Sequence, residues 1–445
     1  MNNKALTPGI AAALGELEEN YKQRTPNSRS IMLRSSEVMP GGETRSTLYF
    51  SPYPLVFRSG ESSTLTDVDG HLYRDFINDF GGGLYGHSQP LLQQAIKQVV
   101  DDGLTLGGIN QYEGELARLL VERFPALEKV RFTNSGTEAS LMAITTARLF
   151  TGRDKILVMS GGYHGGVLTL LDPASRSIAP YDFVYGTFND LAKTEHLVAE
   201  CGDELAAIFI EPVLGAGGML PAELGYLQGL RELANRTGAL LIFDEVQSSR
   251  MGPTGAQGIY GVTPDLMTCA KYLGGGGNFG AFGGRADVMN IYDYSRPDPV
   301  KHGGTFNNNV ITMAAGAAGL RDIFTPEVAT KLLNTGNQFR AELNAICQQQ
   351  GVAMTITGLG PSMAIHFQPG PITTVEQAFR GKDPSASALL HMAMLERGIY
   401  LARRGGLILS IVQTDADLTF FRQAFTEVLQ QYGDLFNEYA DIVSR

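Results

Sequence analysis

The chain has 445 residues, enough for one large domain and a smaller one at roughly 150 residues per domain. Its 46 acidic and 35 basic side chains give a formal net charge of -11, which argues against a nucleic-acid-binding surface. No window approaches the ~20 apolar residues of a membrane-spanning helix. Because its 3 cysteines (Cys201, Cys269, Cys347) are far apart and its 7 histidines are scattered, we expect a cytoplasmic protein with no disulfide framework and no metal site.

The amino-terminal part predicts helix followed by antiparallel strands. Residues 1 to about 35 have a helical pattern, and the acids that follow a short apolar patch there are unlike a secretory signal. The turn at residues 39–42 ends this segment. Residues 56–60 and 64–73 then alternate apolar and polar side chains around an Asp-Gly turn, which favours a hairpin.

From residue 76 the pattern changes to alternating strands and helices. Four apolar runs of strand length are separated by helical patterns, which is typical of a mostly parallel sheet with helices on both faces. These runs are residues 130–132, 156–159, 207–210 and 240–243. Helices are predicted at residues 90–100, 113–124 and 313–320, and the glycine-rich segment 274–284 is expected to be a loop.

The carboxyl-terminal part returns to a mixed pattern. A long amphipathic helix over residues 326–350 is followed by strands within 352–367, a helix over 386–397 and strand material over 399–411. We expect residues 76–324 to form the large domain. Residues 1–75 and 325–445 are then the two parts of a small domain.

Asp244 and Lys271 are the first chemical candidates. Asp244 follows a buried apolar run, and the carboxyl end of such a strand is where open α/β sheets bind ligands. Lys271 has no other charge near it in the sequence and precedes four glycines. Its amine is either kept partly neutral for covalent chemistry with a carbonyl, or is a lysine that reaches solvent from a strand end.

Two further segments suggest a bound ligand. Ser135, Gly136 and Thr137 follow a strand and open a helix, so their hydroxyls and free amides can hold a phosphate; an ordinary helix N-cap has the same composition. Tyr163 lies among glycines that would let a flat ligand approach its ring, although a tyrosine is also a common core residue.

Together, a phosphate site, an aromatic platform, a strand-end carboxylate and a lysine in apolar surroundings form the set that a pyridoxal phosphate enzyme needs. The motifs resemble those of class III aminotransferases, in order, at residues 134–139, 162–165, 211–212, 243–247 and 271–276. The resemblance spans about residues 35–430. It implies an α/β fold of the fold type I pyridoxal-phosphate-dependent transferases, with a mostly parallel, seven-stranded sheet flanked by helices in the large domain, and a small α+β domain from both chain ends.

The resemblance implies specific roles around pyridoxal 5'-phosphate. Lys271 would form a Schiff base with the cofactor and then move the proton between substrate and cofactor. Asp244 would pair with the pyridine nitrogen, and Tyr163 and Val246 would lie on the two faces of the ring. Gln247 would lie near the ring hydroxyl.

The same resemblance implies how the phosphate is held. Ser135, Gly136 and Thr137 would bind it, and Glu211 would support the site from behind. Thr305 fits the position of a threonine that reaches the phosphate from the neighbouring subunit. A homodimer with shared active sites is therefore expected.

Two subfamilies look close in sequence. The segment 40–42 and the motif at 134–139 resemble glutamate-1-semialdehyde aminomutases, whereas residues 43–46, 282–287 and 306–309 resemble β-phenylalanine aminotransferases. The aminomutase pattern has Gly-Asn-Pro after the shared threonine, and this chain departs from it. We therefore predict transfer of the amino group of a β-amino acid, such as β-phenylalanine, to a keto acid such as 2-oxoglutarate or pyruvate; the alternatives are a glutamate-1-semialdehyde 2,1-aminomutase and a broad amine (omega) transaminase.

Both substrates carry carboxylates, which a guanidinium binds through two parallel hydrogen bonds. The resemblance assigns the donor carboxylate to Arg45 and the acceptor carboxylate to Arg404, with Arg403 as the alternative. Tyr85, in the glycine-rich loop 81–87, is a further candidate for substrate binding. In a β-amino acid the carboxylate lies one carbon further from the amine, so carboxylate and side chain would occupy exchanged pockets.

Overall fold

The computed structural model describes residues 7–380 and 383–444. The chain divides into a first unit, residues 1–88, 335–372 and 379–445, and a second unit, residues 89–334 and 373–378. The expected domain borders were 75/76 and 324/325. The first six residues of the predicted amino-terminal helix lie outside the described residues.

The first unit begins with two helices and three strands. These are α1 (Pro8–Arg24), α2 (Pro26–Ser36), β1 (Phe57–Glu61), β2 (Thr64–Asp67) and β3 (Leu72–Asp75). The single predicted helix is two helices because Pro26 has no N–H and disfavours helical geometry at Thr25. The strands pair antiparallel in sequence order, with the Asp-Gly turn between β2 and β3.

The second unit contains the predicted parallel sheet. Its strands are β4 (Lys129–Thr133), β5 (Lys155–Met159), β6 (Phe183–Gly186), β7 (Leu205–Ile210), β8 (Val213–Leu214), β9 (Leu220–Pro221), β10 (Leu240–Asp244), β11 (Leu266–Ala270) and β12 (Gly280–Gly284). Its helices are α3 (Pro90–Asp102), α4 (Gln111–Arg123), α5 (Gly136–Thr151), α6 (Leu191–Cys201), α7 (Leu224–Thr237), α8 (Gly255–Tyr260), α9 (Ala286–Met289) and α10 (Val310–Ala318). Seven strands form one sheet in the order β4-β12-β11-β10-β7-β5-β6, and β8 pairs with β9 alone. The predicted α/β class is confirmed.

The prediction of a loop over residues 274–284 is wrong for its last five residues. They form β12, which lies between β4 and β11, antiparallel to both and fully buried. A Cβ at Gly280 would meet the carbonyl oxygen of Ser135, and one at Gly284 would meet that of Asp265. Glycine is required there by the close approach of neighbouring backbone, which a propensity argument mistakes for a turn.

The core of the second unit depends on α5, which packs against the sheet with small residues. Ala139, Ala143 and Ala147 of α5 are fully buried against Ile242 of β10 and its neighbours. The small alanine side chains let the axis of α5 lie close to the strands, and the helix starts just after β4 ends.

The rest of the chain returns to the first unit. The elements are α11 (Pro326–Gln349), β13 (Thr355–Leu359), β14 (Ser362–His366), α12 (Val375–Ala378), α13 (Ser385–Glu396), β15 (Ile399–Tyr400), β16 (Gly406–Ile408) and α14 (Asp415–Ser444). The unit border falls inside α11, and α12 belongs to the second unit. The strand material predicted at 399–411 separates into β15, which pairs with β3, and β16, which pairs with β14. Among the described residues, no helix is long and apolar enough to cross a membrane.

Candidate active site

Six strands of the seven-stranded sheet end at one edge. β4, β11, β10, β7, β5 and β6 run in the same direction, so their carboxyl ends meet there. This is the edge at which open α/β sheets bind ligands. The residues at or just after these ends are Ser135, Lys271, Asp244, Glu211, Tyr163 and His164.

Asp244 is a buried carboxylate held on both of its oxygens. Its Oδ2 lies 2.8 Å from Nδ1 of His164, and its Oδ1 accepts the N–H of Val246 at 2.9 Å. The imidazole of His164 is itself buried and stacks on the ring of Phe209, with centroids 4.0 Å apart. The carboxylate therefore has one fixed orientation, from which it can stabilise a positive charge on a ligand nitrogen.

Glu211 is a second buried carboxyl beside this pair. Its two oxygens accept the backbone N–H groups of Tyr163 at 2.9 Å and Gly215 at 3.0 Å. Burial raises the pKa of Glu211 from 4.5 to about 7; the charge of Asp244 adds to this rise, and His164 and the two N–H groups oppose it. Glu211 thus fixes the backbone at the tyrosine through the loop that follows β5.

Lys271 follows β11 in a backbone conformation that is unusual outside glycine, with φ of 63°. Its Nζ donates to Oε1 of Gln247 at 2.7 Å. Non-glycine residues with left-handed backbone cost free energy and concentrate at functional sites. The amine is therefore directed by the backbone and by Gln247 together.

Behind Gln247 lies a cation that sequence reasoning missed. Arg250 is fully buried, and its guanidinium donates to the backbone oxygen of Gln247 at 2.9 Å and to Oε1 of the same residue at 2.8 Å. Because a guanidinium has no acceptor, it fixes which end of the Gln247 amide is the oxygen. The spacing Gln-x-x-Arg in a short helical turn is the signal that could have identified it.

The turn before α5 has the features expected of an anion site and of an N-cap at once. Oγ of Ser135 accepts the N–H of Glu138 at 3.1 Å, so Ser135 caps the helix. The first amides of a helix have no partner within the helix and can bind a phosphate. Gly136 approaches the other strand ends closely, since a Cβ there would lie 3.1 Å from Val246 and 3.4 Å from Ala270.

Tyr163 and Thr137 meet through the loop after β5. The Tyr163 side chain is 44% exposed, unlike a core aromatic, and its backbone is bridged to Thr169. Oγ1 of Thr137 accepts the N–H of Gly166 at 3.2 Å. Gly165 has φ of 132°, and a Cβ there would collide with Thr137, so this loop can lie against the start of α5 only with glycine.

Thr305 lies in an exposed turn of the second unit. The turn is attached to the strand ends of the same chain, because Nδ2 of Asn134 donates to Oδ1 of Asn307 at 2.9 Å. Nδ2 of Asn308 donates to Glu113 at 3.0 Å, which fixes the turn against α4. These contacts present the Thr305 side chain to the surface.

The three candidate substrate residues belong to the first unit. The Arg45 guanidinium pairs with Asp79, which the sequence motifs do not include, and Tyr85 is buried. Arg404 is exposed, whereas Nη1 of Arg403 is buried and burial lowers the pKa of this guanidinium. In residues 7–380 and 383–444 no cluster of three or more potential metal ligands is found.

Comparisons with known proteins identify the family to which the chain belongs. The family profile for class-III aminotransferases matches residues 50–430. A β-phenylalanine transaminase of Variovorax paradoxus is 45% identical over 96% of this chain and 98% of that protein. The chain belongs to the class-III aminotransferases; it is a pyridoxal-5'-phosphate-dependent enzyme with a fold type I transferase fold.

A relative with another activity and two solved structures also match the chain. A glutamate-1-semialdehyde 2,1-aminomutase of Desulforudis audaxviator is 37% identical over 91% of this chain and 97% of that protein. Among solved structures, the β-phenylalanine aminotransferase of Variovorax paradoxus matches with a TM-score of 0.94 over 96% of this chain and 99% of that chain, at 45% identity. An omega-transaminase of Sphaerobacter thermophilus matches with a TM-score of 0.86 over 91% of this chain and 97% of that chain, at 36% identity.

Proposed function

We propose that this aminotransferase moves the amino group of a β-amino acid, such as β-phenylalanine, to a keto acid such as 2-oxoglutarate or pyruvate. The observation that carries the choice of donor is the similarity to a β-phenylalanine transaminase, at 45% identity over nearly the whole of both chains. The aminomutase relative is less similar, at 37% identity.

The residues at the sheet edge fit pyridoxal phosphate. Lys271 supplies a directed amine, and Asp244 supplies a buried negative charge for the ring nitrogen. The helix start at Ser135, Gly136 and Thr137 offers amides and hydroxyls for the phosphate. Bound there, the cofactor supplies an aldehyde that carries the amino group and a ring that withdraws electrons from the substrate carbon.

The roles we propose for the remaining residues follow from their surroundings. Tyr163, which is exposed among glycines, and Val246, which packs near Gly136, would contact the two faces of the ring. Gln247 orients the Lys271 amine and donates toward the ring hydroxyl. Glu211 holds the Tyr163 backbone in place.

Lys271 is the group that we propose to move the proton. With the cofactor and a donor bound, the neutral Nζ of Lys271 would be the base that removes a proton from the donor's amine-bearing carbon. Its backbone conformation and its contact with Gln247 limit where Nζ can go. The same amine returns the proton when the acceptor is converted.

Two arginines are proposed as carboxylate anchors. Arg45 binds the donor carboxylate, and Arg404 binds that of the keto acid acceptor. Of the adjacent pair, Arg404 is the better candidate because its side chain is exposed, whereas Nη1 of Arg403 is buried. Tyr85 is proposed to line the donor pocket.

We also propose a homodimer in which Thr305 of one subunit reaches the phosphate site of the other. The exposed turn that carries Thr305, fixed by Asn134 and Asn307, supports this assignment. Light scattering of the wild type and of Thr305→Ala, together with cofactor titration, tests the dimer.

The three free, buried cysteines are consistent with a reducing, cytoplasmic location.

The decisive test of the chemistry is Lys271→Ala, with Lys193→Ala, a change of an exposed lysine on α6, as the matched control. We expect Lys271→Ala to lose turnover and the wild-type absorption band of the bound cofactor, and added methylamine to restore part of the turnover. The control should behave like the wild type. Full turnover in Lys271→Ala would contradict the assignment.

The donor is tested with a panel under one acceptor. β-Phenylalanine should be converted with a higher kcat/KM than 1-phenylpropylamine, which has a methyl group in place of the carboxyl group. Glutamate-1-semialdehyde should give no 5-aminolevulinate. If no β-amino acid is converted, the proposed donor class is wrong; formation of 5-aminolevulinate would indicate an aminomutase, and conversion of amines alone an omega-transaminase.

A further inference from the structure

The ion pair between Arg45 and Asp79 lies at the proposed donor anchor. Nη1 of Arg45 is 2.5 Å from Oδ1 of Asp79, and the two side chains are 47% and 54% exposed. An ion pair this open to water contributes little to folding stability. Its position on the arginine that we assign to the substrate carboxylate suggests a role in binding instead.

The backbone around Asp79 is strained in a way that fixes its carboxylate. Asn78, Asp79 and Phe80 have consecutive φ values of 45°, 50° and 51°, in the left-handed region that favours glycine. Asn78 anchors this turn, because its Nδ2 donates to the backbone oxygen of Ile408 at 2.6 Å and its N–H donates to Oδ1 of Asp75 at 2.9 Å. Such strain persists where surrounding contacts enforce it, commonly at functional sites.

The loop after Asp79 also leaves room for the carboxylate. A Cβ at Gly82 would lie 2.9 Å from Oδ2 of Asp79, so a larger residue at that position would press on the carboxylate. The carboxylate of Asp79 can therefore reach Arg45 from a turn that is anchored by Asn78, and Gly82 leaves space for it.

We propose that Asp79 is a specificity-determining residue that competes with the donor's carboxylate for Arg45. This inference rests on the proposed role of Arg45 in the donor site. When a β-amino acid binds, the guanidinium exchanges Asp79 for the substrate carboxylate. When a donor lacks a carboxylate, Asp79 stays paired with Arg45, so that no unpaired cation faces the apolar end of the donor.

The consequence is that the enzyme binds β-amino acids less tightly but accepts a wider range of amino donors. Breaking the pair, and placing the substrate carboxylate near that of Asp79, raises KM for β-amino acids. Neutralising Arg45 keeps the site open to amines without a carboxyl group. Removing the Asp79 charge should therefore make the enzyme more selective for carboxylate donors.

Asp79→Asn tests this with the least disturbance, because asparagine has the same shape and tolerates left-handed backbone. In the holoenzyme we expect KM for β-phenylalanine to fall about two- to five-fold, the range of an exposed ion pair, with kcat little changed. The inhibition constant of 3-phenylpropionate, which lacks the amine, should fall by the same factor. The values of kcat/KM for 1-phenylpropylamine should not rise, and Asp79→Glu, which keeps the charge, should lower KM less than Asp79→Asn does.

Introducing Asp79→Asn into the Arg45→Ala enzyme completes a double-mutant cycle for these two residues. There Asp79→Asn should lower KM and the inhibition constant by a smaller factor than in the Arg45 enzyme, because no arginine is left for which Asp79 can compete. If Arg45→Ala alone leaves both constants unchanged, the proposed role of Arg45 fails. Suppose instead that Arg45→Ala raises KM and the inhibition constant. The competition by Asp79 is then refuted if Asp79→Asn lowers neither constant in the Arg45 enzyme, or if it lowers them equally in both backgrounds.

Discussion

Replacing Glu211 by glutamine should change how the stability of the protein depends on pH. Glu211 is fully buried, and its pKa is raised from 4.5 to about 7, first by burial and next by the charge of Asp244. Between those two values the folded protein holds a proton that the unfolded chain has released. The free energy of unfolding therefore falls as pH rises through this window.

The size of the effect follows from the shift. At about 1.4 kcal/mol for each pKa unit, a rise from 4.5 to about 7 corresponds to about 3 kcal/mol. This contribution is fully present below pH 4.5 and lost above pH 7. Glutamine resembles the protonated carboxyl in shape and cannot ionise, so the variant lacks this loss. For a unit of the size of the second unit, a change of about 3 kcal/mol in the free energy of unfolding shifts the melting temperature by roughly 6 to 12 °C.

The assay is the melting temperature of cofactor-free wild type minus that of Glu211→Gln, measured from pH 4.5 to 8. We expect this difference to decrease steadily as pH rises. Glu232→Gln, which removes an exposed carboxyl on α7, is the control for loss of one carboxylate. A difference that is independent of pH, or that increases with pH, would refute the reasoning.

The cofactor provides a second comparison. A positively charged ring nitrogen beside Asp244 offsets the negative charge that helps to raise the pKa of Glu211. The pH dependence should therefore be shallower in the holoenzyme than in the cofactor-free protein. An equal slope in the two forms would indicate that the ring nitrogen does not lie near Asp244.

Three further substitutions test the site. Arg250→Met removes two buried charge-assisted hydrogen bonds to Gln247 and should weaken cofactor binding about ten- to hundred-fold in a fluorescence titration, with Arg250→Lys less affected. Gly165→Ala places a Cβ against Thr137 and should weaken binding of pyridoxal phosphate much more than binding of pyridoxal, because it disturbs the phosphate end of the site. Asp244→Asn should lower kcat by about 10²–10⁴-fold with little change in KM, and a cofactor methylated at the ring nitrogen should restore part of the activity; unchanged kcat would contradict the proposed role.

The parallel sheet was predictable because its strands are buried on both faces. Residues 205–210 and 240–244 are apolar along their length, apart from the final acid, and every one of them is buried. β12 was not predictable in the same way, because Gly280–Gly284 contains three glycines whose purpose is visible only in the neighbouring carbonyl oxygens. Helix α14, with 30 residues, was not identified as an element although its amphipathic pattern is present in the sequence.

In the candidate site, too, some residues were predictable from the sequence and others were not. Lys271, Asp244 and the Ser135 turn follow recognisable strand ends, and the motif order was sufficient to select them. Arg250 and Asp79 were missed because the roles that we propose for them depend on contacts with other residues. Asp79 pairs with an arginine 34 positions earlier, and only the left-handed turn at Asn78 and Asp79, a conformation that both residue types tolerate, leaves a local trace.

The end of one strand of the second unit carries both a buried negative charge and a buried positive charge of the candidate site. β10 ends in Asp244, whose carboxylate pairs with His164, and the same chain continues within six residues to Arg250, a buried cation. Gln247 lies between them in sequence and accepts from both Arg250 and Lys271 through one oxygen. The carboxylate is suited to a positively charged ring nitrogen, and the buried guanidinium holds in place the Gln247 oxygen that receives the Lys271 amine. Because both charges follow one strand, a shift of β10 against its neighbours would displace the two together, so the register of β10 against β7 and β11 is the structural variable on which the proposed chemistry depends most.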